Sequence, residues 1–357
     1  MRKLASILIM IGILFVTAAC GSSSTQGSTQ DPAQGSTQGE AQSRSEPITL
    51  KYAFFAADTT YPAIVAKKWA EKLEERTNGK VKIEFYFGGT LLNAANTFDG
   101  VKNGVADVGL TALSYEPGRF PLAEISDLPS GYPNAKVGSQ VVSNLMKEFP
   151  EENLKEFKVA KMFTTEPLYI QTKDPVGSLE ELEGQQLRIG GALTPLLEAL
   201  GAAPVGMSQA EQAQALQTGV ISGYVSERAL LKDAGFAEFV KYYTDYPLGL
   251  VTLTAVMNQQ VYESLPADVQ QAIDELYDEM PAVAGEYLDN HVQEAIAWSE
   301  KEHGLQKITL SADEIKRWEE KIQPLQEKAV ENADAKGLPG TKYEERLYEL
   351  VSKYSGN

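Results

Sequence analysis

The sequence predicts an α/β protein of about two domains, and three observations carry that prediction. The chain has 357 residues, 43% of them hydrophobic and 23% charged, an ordinary globular composition with ample apolar material for a core. Its length suits roughly two domains. Segments of period-2 hydrophobicity alternate with segments of helical period, in the order strand, helix, strand, helix, strand. Such alternation marks α/β units with mostly parallel sheets.

The first segment precedes the folded body. "MRKLASILIMIGILFVTAAC" opens with Arg2 and Lys3, runs apolar from Leu4 to Val16, and ends in Thr17-Ala18-Ala19-Cys20. A charged start, a short apolar run and small residues before a cut form a secretory signal. The run is shorter than the ~20 apolar residues that a membrane span needs. Cys20 is the single cysteine, so no intrachain disulfide forms. Its place directly after the small residues resembles a bacterial lipoprotein signal. That resemblance implies removal of residues 1–19 and lipid on the Cys20 thiol, anchoring the chain to a membrane surface. The alternative is a plain signal peptide with an incidental cysteine. Residues 20–47 are rich in Gly, Ser, Thr and Gln, with "QGSTQ" at 26–30 and again at 34–38. They lack apolar residues for a core and read as a flexible tether, with a typical reach of about 30 Å.

The folded body begins with "ITLKYAFF" (48–55), an alternating strand. Ile64, Val65, Trp69 and Leu73 recur at helical spacing, and Asn78-Gly79 supplies a stop. "VKIEFYF" places Val81, Ile83, Phe85 and Phe87 on one side of a second strand. A helix around 93–103, a strand at 106–113 and a loop over 114–133 follow. A second α/β unit carries strands at 157–164, 168–173, 186–190, 221–225 and 249–257. Its helices lie at 192–201, 208–218 and 227–235. From 259 to 303 and from 311 to 354 the chain reads as helical, with Val269, Ile273 and Leu276 on one stripe. Pro281 is expected to kink or break the first of these helical stretches.

Charge and residue inventory exclude several functions. The net charge is −17 at pH 7, which argues against nucleic acid as a partner. An anionic ligand therefore needs a local positive site. The two histidines, His291 and His303, lie twelve residues apart in a helical stretch. They read as surface residues, and the parts for a His-based metal site or a Cys/His nucleophile pair are missing. No Gly-x-Ser-x-Gly elbow or triad assembles. The sequence predicts no enzyme, no cofactor and no metal.

The stretches "FGGTLLNAANTFDGVKNGVADVG", "LPSGYP", "LEELEGQQLRIGGALTPLLEALGAAPVGMSQAEQAQALQTGVISGYVSE" and "AVMNQQVYESLPADVQ" occur in an order that resembles the solute receptors of TRAP transporters, of the DctP type. The resemblance covers roughly residues 48 to 300. It implies a two-domain, periplasmic-binding-protein-like (type II) fold with hinge strands and a long C-terminal helix. The implied domains are 48–160 with part of the C-terminal region, 161–257, and a helical region 258–357 that packs on both. It further implies capture of an organic acid anion in an interdomain cleft, outside the cytoplasm, and delivery to the small and large membrane subunits of a permease. An extracellular sensor that presents a bound carboxylate to a membrane receptor would read the same way.

The chain has eight arginines. Arg2 and Arg44 precede the folded body, Arg76 sits at a helix end, and Arg317 and Arg346 lie in charge-rich helices. Arg188, in "LRIGG", lies near a strand end, where α/β sheets present ligand residues. Two glycines follow it and let a backbone pass close to a ligand. Its planar fork matches a carboxylate bidentately. The alternative is a surface charge on an edge strand. The resemblance aligns Arg188 with the family's carboxylate-gripping arginine. Arg119 either lines the cleft from the other domain or pairs with Glu116 or Glu124. Arg228 reads as an exposed residue opening a helix. Ser226 stands where the family often has asparagine and is a candidate contact, with Tyr224 as an aromatic wall. Thr90, Tyr115, Thr164 and Glu166 sit at predicted strand ends facing the cleft. Leu168 replaces a second arginine of the family's sialic acid receptors, which implies a smaller or more apolar acid.

Overall fold

A computed structural model describes residues 46–356. The secretory signal, Cys20 and nearly all of the tether lie outside the described residues. Strand β1 (Ile48–Phe54) forms where the alternating β-formers predict it. Helix α1 (Tyr61–Arg76) has proline in its first turn and buries Tyr61, Val65, Trp69 and Leu73. Asn78 and Gly79, at φ of 52° and 75°, turn the chain out of it. Strand β2 (Val81–Tyr86), helix α2 (Thr97–Lys102) and strand β3 (Val108–Ala112) follow. Helix α3 (Pro121–Asp127) lies in the stretch read as loop, because seven residues carry too little periodicity to declare a helix. Helix α4 (Ala135–Glu148) has no counterpart among the elements read from sequence. Strand β4 (Phe157–Thr164) ends this half.

The second half runs through β5 (Tyr169–Thr172), α5 (Leu179–Leu182), β6 (Gln186–Ile189), α6 (Thr194–Ala199) and β7 (Ala203–Gly206). It continues with α7 (Gln212–Thr218), β8 (Gly223–Ser226), α8 (Leu230–Asp233) and β9 (Tyr242–Thr244). Then come β10 (Thr252–Asn258), α9 (Gln259–Ser264), α10 (Ala267–His303), β11 (Gln306–Ile308), α11 (Ala312–Ala335) and α12 (Gly340–Ser355). Two sheets result, one ordered β2-β1-β3-β10-β4 and the other β11-β9-β5-β8-β6-β7.

The sheets are mixed, whereas the alternation predicts mostly parallel ones. Strand β10 runs antiparallel to β3 and β4, and β5 runs antiparallel to β8 and β9. The reason is the chain path. Strands β4 and β9 end where the chain crosses from one sheet to the other, and the next strand enters from that side. A strand that starts at the cleft must oppose strands that finish there. Strand β10, at the end of the segment 161–257, is thus paired within the first sheet. The crossing segments bond each other: Thr165 N donates to Val251 O, Leu168 N to Gly249 O, and Leu248 N to Leu168 O.

Helix α10 continues past Pro281 without a break in its 37 residues. Its apolar face, including Leu276, Met280, Pro281, Ala284 and Leu288, is buried, and packing on both sides of the proline offsets the missing hydrogen bond. The helix packs on α1, α4 and β4 of the first lobe and on α8 of the second. Gly285 is where α4 comes closest. A Cβ there would lie 2.3 Å from Lys136 Cα. Helix α11 touches α3 in one lobe and α6 in the other.

Candidate functional site

Parallel strands β1 and β3 in one sheet, and β6 and β8 in the other, point their C-terminal ends at the same gap. Ligands of open α/β sheets bind at such strand ends. A cavity with about 510 Å³ of atom-free space, counted to its mouth, lies there. Phe54, Phe55, Ser114 and Tyr115 line it from the first lobe. Arg188, Gly190, Val225, Ser226 and Glu227 line it from the second.

Arg188 answers the question its sequence poses. It is 4% exposed, so the edge-strand surface reading fails. Its Nε donates to Met207 O at 3.0 Å and its Nη2 to Tyr115 Oη at 3.3 Å. It forms no ion pair among the described residues. A guanidinium has five N–H donors, and these two bonds leave three without a partner among the described residues. A buried cation without a carboxylate partner is costly.

Tyr115 joins the lobes. Its hydroxyl oxygen accepts from Arg188 and from Gln209 N at 3.1 Å, which leaves its own O–H free to donate. Burial raises the phenol above its ordinary range, although Arg188 and the Gln209 N–H pull it back. It therefore stays protonated at neutral pH. The Ser114 hydroxyl, on the same 3-10 turn, is buried and has no partner among the described residues. Phe55 meets Tyr115 edge-on at 5.3 Å and Phe54 at 4.7 Å. Leu168, Leu230, Val251 and Leu253 complete an apolar wall.

The glycines after Arg188 have a different use from the one expected. A Cβ on Gly190 would sit 2.8 Å from Ser114 Oγ, and one on Gly191 would sit 3.1 Å from Pro117 Cγ. They let the opposite lobe approach.

Of the eight candidate binding residues, the structure brings Arg188, Tyr115 and Ser226 together in the cavity. The other five do not line it. Tyr224 is fully buried in the second lobe, with its hydroxyl on Gln171 Oε1 at 3.0 Å and its ring against Phe236. Thr164 is buried beside Ser139, and its neighbour Thr165 lines the cavity instead. Thr90 bonds Phe87 O within its own loop. That loop's Gly88, Gly89 and Asn93 line an outer groove shared with Phe55 and Tyr115. Arg119 pairs with Glu116 and, at 3.6 Å, with Glu156, and lies over the Phe98 ring. Glu166 pairs with Arg228. That pair corrects the exposed reading of Arg228, whose Nη2 donates to Glu166 Oε2 at 2.8 Å and whose guanidinium stacks 3.8 Å over the Tyr169 ring. His291, read as a surface residue, is partly buried and bonds Asp233 Oδ1 at 2.6 Å. Sequence reading missed Ser114 and Glu227, although each adjoins a residue that it chose.

Comparison with known proteins agrees with this geometry. The family model for bacterial extracellular solute-binding protein, family 7 (DctP), matches residues 53–332. The C4-dicarboxylate-binding periplasmic protein DctP of Rhodobacter capsulatus is 24% identical over 303 residues, which cover 84% of this chain and 91% of that one. A TRAP periplasmic solute binding protein from Desulfovibrio salexigens is 37% identical. That match covers 87% of this chain and 97% of that one, with a TM-score of 0.77. A marine metagenome TRAP solute binding protein specific for aromatic acid ligands, solved with 3-hydroxybenzoate, is 28% identical. It covers 87% of this chain and 99% of that one, with a TM-score of 0.82. The family match over most of the folded body, together with a cavity between two lobes, establishes that the chain belongs to the DctP family of bacterial extracellular solute-binding proteins, the solute receptors of TRAP transporters.

Proposed function

We propose that Arg188, Tyr115 and Ser226, with Ser114, form the acid-binding site, and that the ligand is a small organic acid with an apolar body. The observation that supports this most is the unpaired, buried Arg188 guanidinium. A carboxylate on it gains two parallel charge-assisted bonds, and the Tyr115 O–H and Ser114 hydroxyl supply further donors. Phe54, Phe55 and Leu168 favour an aromatic or short aliphatic body. The marine relative's aromatic acids are in keeping with that choice. A ligand so placed touches both lobes and favours their closed arrangement. The chain captures and releases its ligand without turnover and passes it to the small and large membrane subunits of a permease. Among the described residues no helix is long and apolar enough to cross a membrane. The anchor in this reading is lipid on Cys20, with residues 20–47 as tether.

Calorimetric titration with benzoate, 3-hydroxybenzoate, mandelate and succinate tests the reading. At least one acid should bind with a micromolar constant, about −8 kcal/mol. Arg188→Ala should weaken it at least a hundredfold while the unliganded protein keeps its melting temperature. Unchanged affinity in Arg188→Ala would overturn the assignment. For the anchor, Cys20→Ser should release the protein from the membrane fraction; retention there would contradict it.

A further inference from the structure

The carboxylate site accounts for one charge in the cavity and leaves a second unexplained. Glu227 lines the same space as Arg188. It follows β8, whose Tyr224 is the register partner of Arg188 on β6. It is 7% exposed. Its Oε2 accepts from Ser226 Oγ at 2.6 Å, and it joins no ion pair among the described residues. Nearby, the Tyr61 hydroxyl is buried without a partner among the described residues. Burial raises that phenol well above its ordinary value, and Glu227 is the first charge to raise it further.

A buried cation and a buried carboxylate thus share one cavity without touching. Direct pairing would satisfy both, and the fold does not provide it. Compensation at a distance also makes the site a poor match for a plain anion, whose charge meets the Glu227 carboxylate as well as Arg188. Burial raises the Glu227 carboxyl, with Ser226 and Arg188 drawing it back down. In either protonation state an acceptor oxygen remains on it. A ligand that places a donor there answers both poles.

We infer that Glu227 sets specificity: the cavity takes an acid that also carries an N–H or O–H donor, an amino or hydroxy acid, with its carboxylate on Arg188 and its donor on Glu227. This rests on the carboxylate reading above. The apolar wall of Phe54, Phe55 and Leu230 then holds the carbon skeleton between the two poles.

Two matched sets of acids test the inference by calorimetry. One places the donor beside the carboxylate: 3-phenylpropionate, 3-phenyllactate and phenylalanine. The other places it across a ring: benzoate, 3-hydroxybenzoate and 3-(aminomethyl)benzoate. In at least one set a donor-bearing acid should bind the wild type tenfold or more tighter than its plain parent. Glu227→Ala should shrink that ratio below about twofold. The isosteric Glu227→Gln should keep a hydroxyl preference and lose an ammonium preference. Equal affinity of plain and donor-bearing acids in both sets, or a ratio untouched by Glu227→Ala, overturns the inference and leaves the carboxylate site standing. Binding undiminished by Arg188→Ala, or no binding of any acid to the wild type, instead removes the carboxylate site on which it rests.

Discussion

Two arginines on the second lobe show how one residue type reaches opposite ends. Arg228 has its carboxylate: Glu166 accepts its backbone N–H at 2.6 Å, its Nε at 3.2 Å and its Nη2 at 2.8 Å. Arg188 has only a carbonyl and a phenol. The first is a structural tie and the second an open valence. Glu166→Ala should therefore destabilise the fold by about 3–5 kcal/mol, because it strands a buried guanidinium. Denaturant unfolding checks this, and a loss below about 1 kcal/mol would show that the pair is dispensable. Sequence could separate the two only in part. The place of Arg188 at the cavity was legible from its strand end and its alignment, whereas its glycines serve the approach of the opposite lobe. The partner of Arg228 was not, since Glu166 lies 62 residues away and meets it only through the crossing segment. Tyr224 and Tyr115 looked alike as aromatic residues at or near strand ends. The side of the strand on which each falls decides between core and cavity, and a run as short as β8 (GYVS, four residues, all buried) has no alternation to reveal it.

Among the elements, α3 is held at both ends by buried carboxylates. Glu151 Oε1 accepts from Leu122 N and Ala123 N in its first turn, at 2.8 and 2.9 Å. Asp127, at its end, accepts from Thr252 N at 3.1 Å and Thr252 Oγ1 at 2.6 Å. Burial pushes each carboxyl up to about 7, with the hydrogen bonds pulling against it. The folded protein then keeps protons that the unfolded chain, at ordinary values of 3.8 and 4.5, releases. Stability is fully present below about pH 4 in this respect and falls as pH rises through 7. Asp127→Asn retains both Thr252 bonds through its Oδ1. It should flatten the decline between pH 5 and pH 8 and raise stability at pH 8 by roughly 1–3 kcal/mol. Denaturation curves at the two pH values check this; an unchanged slope would mean that Asp127 ionises freely. Most of the longer elements were plain in the sequence: β1, α1, β2, β4 and the C-terminal helices, but the 14-residue α4 was not. Strands β7, β9 and β11, of three or four residues, and helix α3 were not, because they owe their form to pairing and packing rather than to local period. Pro281 misled in the other direction, since a local breaker yields to a helix buried along its length.

At the scale of the whole molecule, the lobes are joined by the crossing segments, by α10 and by a knot around Asp233. There Asp233 Oδ2 accepts from Tyr61 N at 3.0 Å and Oδ1 meets His291 Nε2, so α1, α8 and α10 share one carboxylate. The cavity closes where Gly190 lies against Ser114. Gly190→Val should hold the lobes apart, weaken acid binding at least tenfold and leave the unliganded melting temperature unchanged. Small-angle scattering should then show no contraction on adding ligand; a contraction equal to the wild type's would place closure elsewhere. The two-lobed architecture was foreseeable from the alternation and the family resemblance together. The antiparallel entry of β5 and β10 was not, because it follows from the crossings. The central claim is that an acid bridges the lobes through Arg188. Native mass spectrometry of protein purified without denaturation tests it most directly. The account predicts that the wild type carries a small carboxylic acid and that Arg188→Ala carries none. An equal adduct on both proteins, or a bound molecule without an acid group, would contradict it.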